Sequence, residues 1–199
     1  MKITIILLSL IFSSMSFAKV GITMGGNNSK YSSSGDSTTI YDSSIGYDIG
    51  LMYNFEIASM LAVALQLGYV THKTAISFTN NPGLKGDMLF SYYVIRPLLL
   101  LDLVGDFGIF AGGTYGINNK AKSEYSDSFE NVDYNSSGAY TVKKNRIAAN
   151  IGLHYVIPLG ALELRTRFMY EKGFGKIMKS NDGIELEIDT YTASVDILL

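Results

Sequence analysis

The pattern that most restricts this chain is an alternation of large apolar side chains with small or polar ones. It is sustained for about ten residues at a time and recurs eight times. Between residues 45 and 56, Ile45, Tyr47, Ile49, Leu51, Tyr53 and Phe55 take one parity, and Gly46, Asp48, Gly50, Met52, Asn54 and Glu56 take the other. Successive side chains of a strand point to opposite faces, so each such stretch is a strand with one apolar face. Gly (20) and Tyr (14) are abundant and Trp is absent, which suits strands, turns and interfacial rings better than a helical bundle.

The alternation places strands over 19–27, 44–55, 58–72, 87–101, 105–118, 142–157, 161–173 and 187–199. Each is long enough to cross a bilayer at a tilt, which takes about 9–11 residues. The connections alternate in length. Those at Asn54–Ile57, Asp102–Asp106 and Pro158–Gly160 are short; those at 28–43, 73–86, 119–141 and 174–186 are long and polar. The Ser-rich stretch Asn28–Thr39 reads as a solvated loop. Residues 1–18 read as a cleaved signal peptide, with Lys2 before the apolar run Ile3–Phe12 and a Ser16-Phe17-Ala18 cleavage site. The remaining 19–199 form one domain. Without cysteine the chain has neither disulfides nor thiolate metal sites. A net charge of −2 gives no general attraction to nucleic acid.

Which face looks where follows from the less apolar parity. Between 107 and 118 it carries Gly108, Phe110, Gly112, Thr114, Gly116 and Asn118. Glycines on a solvent face only weaken a strand, but they suit a lumen too narrow for large side chains. The opposite parity, with Ile147, Ala149, Ile151, Leu153, Tyr155 and Ile157 as its clearest run, is too bulky to fit inside eight strands. The prediction is an all-β, eight-stranded antiparallel up-and-down barrel with its apolar face toward lipid, short periplasmic turns and long extracellular loops. Tyr53, Phe55, Phe107 and Tyr155 fall at the periplasmic rim; Tyr47, Tyr69, Tyr115, Phe168, Tyr170 and Tyr191 fall toward the outer one. The strand over 87–101 is the exception: Leu98–Leu101 do not alternate. A bulge near Arg96-Pro97 would shift its parity, leaving the facing of Tyr92 and Tyr93 open.

Charges on the lumen parity are the candidate site. They are Asp48, Arg146, His154, Glu163, Arg165, Arg167, Glu171 and Asp196. A charge in hydrocarbon is costly, so they face inward, and mixed signs predict pairing. A two-residue turn at Leu159-Gly160 would set His154 opposite Arg165 and Gly152 opposite Arg167, the glycine making room for a guanidinium. Arg165 and Arg167 would then meet Glu163, Asp48 and Asp196 and either plug the lumen or line a narrow pore. No catalytic, cofactor or metal motif stands out. His72 reads as a rim histidine with Ser77 not far away, and neither it nor His154 begins a His-x-Ser pattern. Loop tyrosines Tyr31, Tyr41, Tyr125, Tyr134 and Tyr140 are the contact candidates.

The hairpin rhythm, the leader and the run Tyr93-Val94-Ile95-Arg96-Pro97-Leu98-Leu99-Leu100 give the mature chain its family likeness. It resembles the OmpA/OmpX-like superfamily of small eight-stranded outer-membrane proteins, the outer membrane protein β-barrel domain group. That resemblance implies residence in the outer membrane of a Gram-negative bacterium among lipid and lipopolysaccharide, and delivery by the insertion machinery. The alternating end Tyr191, Val195, Ile197 and Leu199 resembles an assembly signal, although Leu199 stands where Phe or Trp is usual. It implies no single activity. The leading expectation is a non-enzymatic structural or surface-interaction protein with an extracellular partner; the alternatives are a narrow channel and, more remotely, a lipid-modifying enzyme.

Overall fold

The computed structural model describes residues 18–35, 38–125, 132–133, 140–180 and 183–199. The expected leader lies outside them except for Ala18. Twelve strands follow in order: β1 (Ala18–Ser34), β2 (Thr39–Ser43), β3 (Ile45–Ala58), β4 (Leu61–Phe78), β5 (Asn81–Val104), β6 (Phe107–Tyr125), β7 (Val132–Asp133), β8 (Tyr140–Val142), β9 (Asn145–Leu159), β10 (Leu162–Phe174), β11 (Met178–Ser180) and β12 (Glu185–Leu198). The eight long ones pair antiparallel as β1-β3-β4-β5-β6-β9-β10-β12, and β12 returns to β1 to close the ring. The closing seam runs from Gly21 opposite Leu198 to Ser34 opposite Glu185. Closure matters because hydrocarbon offers no partner for a free sheet edge.

At one end the hairpins turn on Ser59-Met60, Gly105-Asp106 and Gly160-Ala161. The first lies beyond the expected Asn54–Ile57, because β3 runs on to Ala58. Gly160, at φ +69°, takes the left-handed conformation that a tight hairpin requires. The turn therefore falls on Gly160-Ala161 rather than Leu159-Gly160, and the pairing moves by two residues. Arg165 faces Val156 and Arg167 faces His154, while Gly152 pairs with Met169. Gly152 makes room for a ring, not a guanidinium: a Cβ there would lie 2.4 Å from Phe110 Cζ.

At the other end the strands run well beyond the expected spans. The Ser-rich stretch is not a loop up to Ser34, because β12 supplies its ladder and Asn27, Ser29 and Tyr31 alternate inward. The short strands extend this wall: β2 continues the β3 edge along β4, while β11 joins β8 to β12. In β5 the register is unbroken past Arg96-Pro97; the irregularities against β6 sit at Ser91/Tyr92 and Asp102/Val104. Tyr92 consequently points into the lumen and Tyr93 outward.

The strands change solvent partway along. On β12, Tyr191, Val195 and Ile197 face out while Thr190, Thr192 and Asp196 face in; beyond Tyr191 the inward residues become Ile188 and Leu186, and the outward ones Asp189 and Glu187. The lower part is thus apolar outside, and the upper part is apolar inside, like a water-soluble sheet fold. The boundary carries a tyrosine girdle, with ring centroids 6.1 Å apart for Tyr47–Tyr69, 5.4 Å for Tyr69–Tyr93 and 5.0 Å for Tyr170–Tyr191. From Ile147 to Ile157 the outward apolar row spans about ten residues. At ~3.4 Å rise and ~40° tilt that is about 26 Å, matching the ~25 Å apolar band of such barrels.

Candidate functional site: the lumen

Lumen side chains gather into layers because each strand contributes every second residue at a given height. In the middle layer, Arg96 on β5 pairs through Nη1 with Asp48 on β3, and its Nε lies 3.4 Å from Glu171 Oε2 on β10. Glu171 also pairs with Arg146 on β9 and accepts a 2.5 Å hydrogen bond from Thr114 Oγ1. Arg146 donates in addition to the Ile188 carbonyl at 3.2 Å. A second set forms around Arg167, whose Nε lies 2.8 Å from Asp196 Oδ2 and whose Nη2 donates to Thr23 Oγ1 at 2.9 Å. Gln66 joins the two sets, donating to Asp48 Oδ1 at 3.0 Å and accepting from Arg167 at 3.2 Å.

Geometry explains why arginine, not lysine, occupies this layer. A guanidinium is a planar fork that reaches two acceptors at once, so Arg96 spans two carboxylates on opposite walls. Burial of these charges is tolerable because each is paired and all but Asp196 are further hydrogen-bonded. Arg167 also lies over the Phe110 ring, 5.8 Å from its centroid.

The predicted residues do not form one network. Arg165 sits lower, at the turn end, where it donates to Glu163 at 2.7 Å; Lys19 takes Glu163's other oxygen at 2.8 Å. His154 meets neither set but contacts Asp102 at 2.7 Å. Asp48 pairs with Arg96 rather than with Arg165 or Arg167. Arg96 is the residue that sequence reasoning missed; its only signal was its even parity with Leu98 and Leu100, masked by Pro97 and the leucine run. These low residues border a mouth cavity of about 160 Å³, lined by Lys19, Glu56, Asp102 and Arg165 and ending against Ala62 and Leu100.

Apolar layers flank the charged one. Toward the turns stand Met52, Ala64, Leu98, Leu100, Phe110 and Leu198. Toward the loops stand Tyr31, Val70, Phe90, Tyr92, Leu186 and Ile188. Along β5 the order is Leu100, Leu98, Arg96, Val94, Tyr92, Phe90, all buried. Along β12 it is Leu198, Asp196, the polar run Ser194, Thr192 and Thr190, then Ile188 and Leu186.

Two expectations are corrected here. Tyr31 is not an exposed loop residue: it is 6% exposed, stacks on Tyr41 at 6.5 Å and packs on Phe90 at 6.1 Å. Tyr41 is half-buried against the same cluster. Both sit on strands that continue above the membrane, where the inward face is the apolar one. Tyr134 lies outside the described residues, as do the side chains of Tyr125 and Tyr140. His72 is no rim residue either. It is fully buried, with Nδ1 2.9 Å from Ser29 Oγ, and Ser77 lies on the other face of β4 by parity. Of the terminal row, Tyr191, Val195, Ile197 and Leu199 all face outward.

The sequence pattern of the outer membrane protein beta-barrel domain family matches residues 12–179. Among solved structures, Neisserial surface protein A is similar over 92% of this chain and 97% of its own, at 13% identity and a TM-score of 0.51. Ail, the attachment invasion locus protein of Yersinia pestis, is similar over 92% and 99%, at 14% identity and a TM-score of 0.49. OprG from Pseudomonas aeruginosa is similar over 92% and 95%, at 10% identity and a TM-score of 0.48. At such identities the likeness is one of fold. No curated protein matches the chain.

Proposed function

The chain belongs to the outer membrane protein beta-barrel domain family, and from that premise we propose that it is a non-enzymatic surface barrel with an occluded lumen. Its work is done by the outer wall and loops rather than by passage through the ring. The observation that carries this reading is the stacking of layers along β4, β5 and β12. A permeating ion would have to cross buried apolar side chains, then a charged layer whose members are already paired, then a second apolar layer. Selective conduction needs sites that bind a solute weakly enough to release it, and paired arginines and carboxylates leave no such vacancy. The extension above the girdle, with its own apolar interior, presents a rigid polar face to an extracellular partner. The outward row Tyr191–Leu199 serves as the recognition strand for the insertion machinery.

Single-channel current across a planar bilayer tests the reading. The refolded chain, shown to be closed by its gel shift between boiled and unboiled samples, is expected to give no steps. Reproducible steps that change when Arg165 or Arg167 is replaced by Gln would overturn it in favour of a narrow channel.

A further inference from the structure

The mouth at the turn end of the barrel carries more negative charge than its own cations meet. Four of its side chains form a row of alternating sign. Lys19 lies 2.8 Å from both Glu56 and Glu163, and Arg165 lies 2.7 Å from Glu163. That row is balanced. Asp102 and Asp106 line the same cavity but stand outside the row, and among the described residues neither has a lysine or arginine within ion-pair distance. His154 does not neutralise Asp102. Its Nε2 lies 2.7 Å from Asp102 Oδ1, and its Nδ1 is buried without a partner. A carboxylate only accepts, so Nε2 carries the hydrogen; a second hydrogen on Nδ1 would be a buried donor with nothing to donate to. The ring is neutral, and Asp102 keeps its full charge.

The fold holds these groups around one space. Asp102 continues the inward row of β5 below Leu100, and Asp106 lies across the β5–β6 turn. Backbone bonds fix that turn on both sides: the Asp102 amide donates to the Met60 carbonyl at 2.9 Å, and the Val156 amide to the Asp106 carbonyl at 2.8 Å. From β3 the cavity is lined by Asn54, only 1% exposed, whose Oδ1 accepts no hydrogen bond. A buried acceptor without a donor, lining the same cavity as two unmatched carboxylates, suits a positively charged donor. Arg165 Nε and Nη1 also lack partners, but its charge is met by Glu163, so the acids set the sign of the mouth. The blind end is apolar, at Ala62 and Leu100, with Val156 on the wall. Among the described residues no three acidic or histidine side chains gather as a metal ion would require. The complement is an ammonium group on a short hydrocarbon chain.

We propose that this mouth binds a small aliphatic amine in its protonated form. Asp102, Asp106 and Asn54 accept from the ammonium, and the chain lies against Val156, Leu100 and Ala62. The site opens on the outer side of the lower apolar layer, so it does not depend on whether the lumen is closed.

The test is calorimetric titration of the folded full chain, in a neutral detergent, with 1,4-diaminobutane, magnesium chloride or sodium acetate. Closure of each variant is checked by its gel shift. Wild type is expected to bind the diamine saturably, with affinity falling as salt rises. Asp106→Asn, at an exposed position that no lumen pair uses, should weaken binding, and Asp102→Asn with Asp106→Asn should weaken it by roughly tenfold or more. The control Asp42→Asn with Glu187→Gln removes the same charge above the girdle and should change it little. Absence of saturable binding to wild type, undiminished binding by the double variant, or an equal loss in the control would overturn the site. Magnesium binding that is lost in the same double variant would overturn the organic ligand. Saturable acetate binding that is lost on Arg165→Gln would overturn the choice of a cation.

Discussion

Replacing Arg96 by Met removes the cation that pairs with two carboxylates on different walls of the lumen, Asp48 and Glu171. Three arginines (Arg96, Arg146, Arg167) face three carboxylates (Asp48, Glu171, Asp196) in the middle layer, so the charges balance. Without Arg96, Glu171 keeps Arg146 and the Thr114 hydroxyl, but Asp48 is left with the neutral Gln66 amide alone. Asp48 is 3% exposed, so water cannot take the guanidinium's place. Leaving a buried charge without its partner costs about 3–5 kcal/mol. At a slope of about 2 kcal/mol per molar urea, a 4 kcal/mol loss lowers the unfolding midpoint of the vesicle-inserted barrel by about 2 M. Removing both partners has a different effect: Arg96→Met with Asp48→Leu leaves two arginines facing two carboxylates. It should recover all but about 1–2 kcal/mol, because a buried ion pair is often replaceable by apolar groups of similar volume. The cycle therefore predicts strong coupling between the two positions. A single variant costing less than about 1 kcal/mol, or a double variant costing the sum of the two singles, would refute the reasoning.

Two further outcomes follow from the change of solvent along the strands. Ile151→Lys, near the middle of β9 and 61% exposed to lipid, should cost about 2–4 kcal/mol in the same urea titration; no loss would mean that this face is not in hydrocarbon. Tyr31→Ala should open the upper core by about 3 kcal/mol, read as faster protease nicking above the girdle with the gel shift unchanged. An unchanged nicking rate would show that the extension does not depend on its apolar interior.

The lipid-facing parity was legible in the sequence because Ile, Leu and Tyr recur at every second position while glycine fills the other face. The girdle tyrosines Tyr47, Tyr69, Tyr170 and Tyr191 followed from the same count, while Tyr93 was left open. Other features were hidden for identifiable reasons. Parity cannot distinguish a turn at Leu159-Gly160 from one at Gly160-Ala161, since the pairings differ by two residues and leave every face unchanged. Arg96 was obscured because the lower lumen is itself apolar, so Leu98 and Leu100 point inward beside outward Leu99 and Leu101 and the alternation vanishes. The segment up to Ser34 looked like loop because its outward residues, Lys30, Ser32 and Ser34, meet water, while Ser29 is small enough to line a crowded interior. Tyr31 was misplaced by the same assumption that a polar outer face means an unstructured one.

The inversion at the tyrosine girdle has a consequence for where the barrel can reside. The apolar band ends abruptly, with Lys172 and Asp189 one outward position above Tyr170 and Tyr191, so the protein fits a hydrocarbon slab of only about 25 Å. In a slab of ~30 Å those charges would be drawn into oil or the lipid forced to thin, at a cost of fractions of a kcal/mol for each ångström of mismatch. The bacterial outer membrane is thinner than average. Band height thus acts as an address written in thickness, favouring retention in the thin membrane over any thicker one the chain meets on its way.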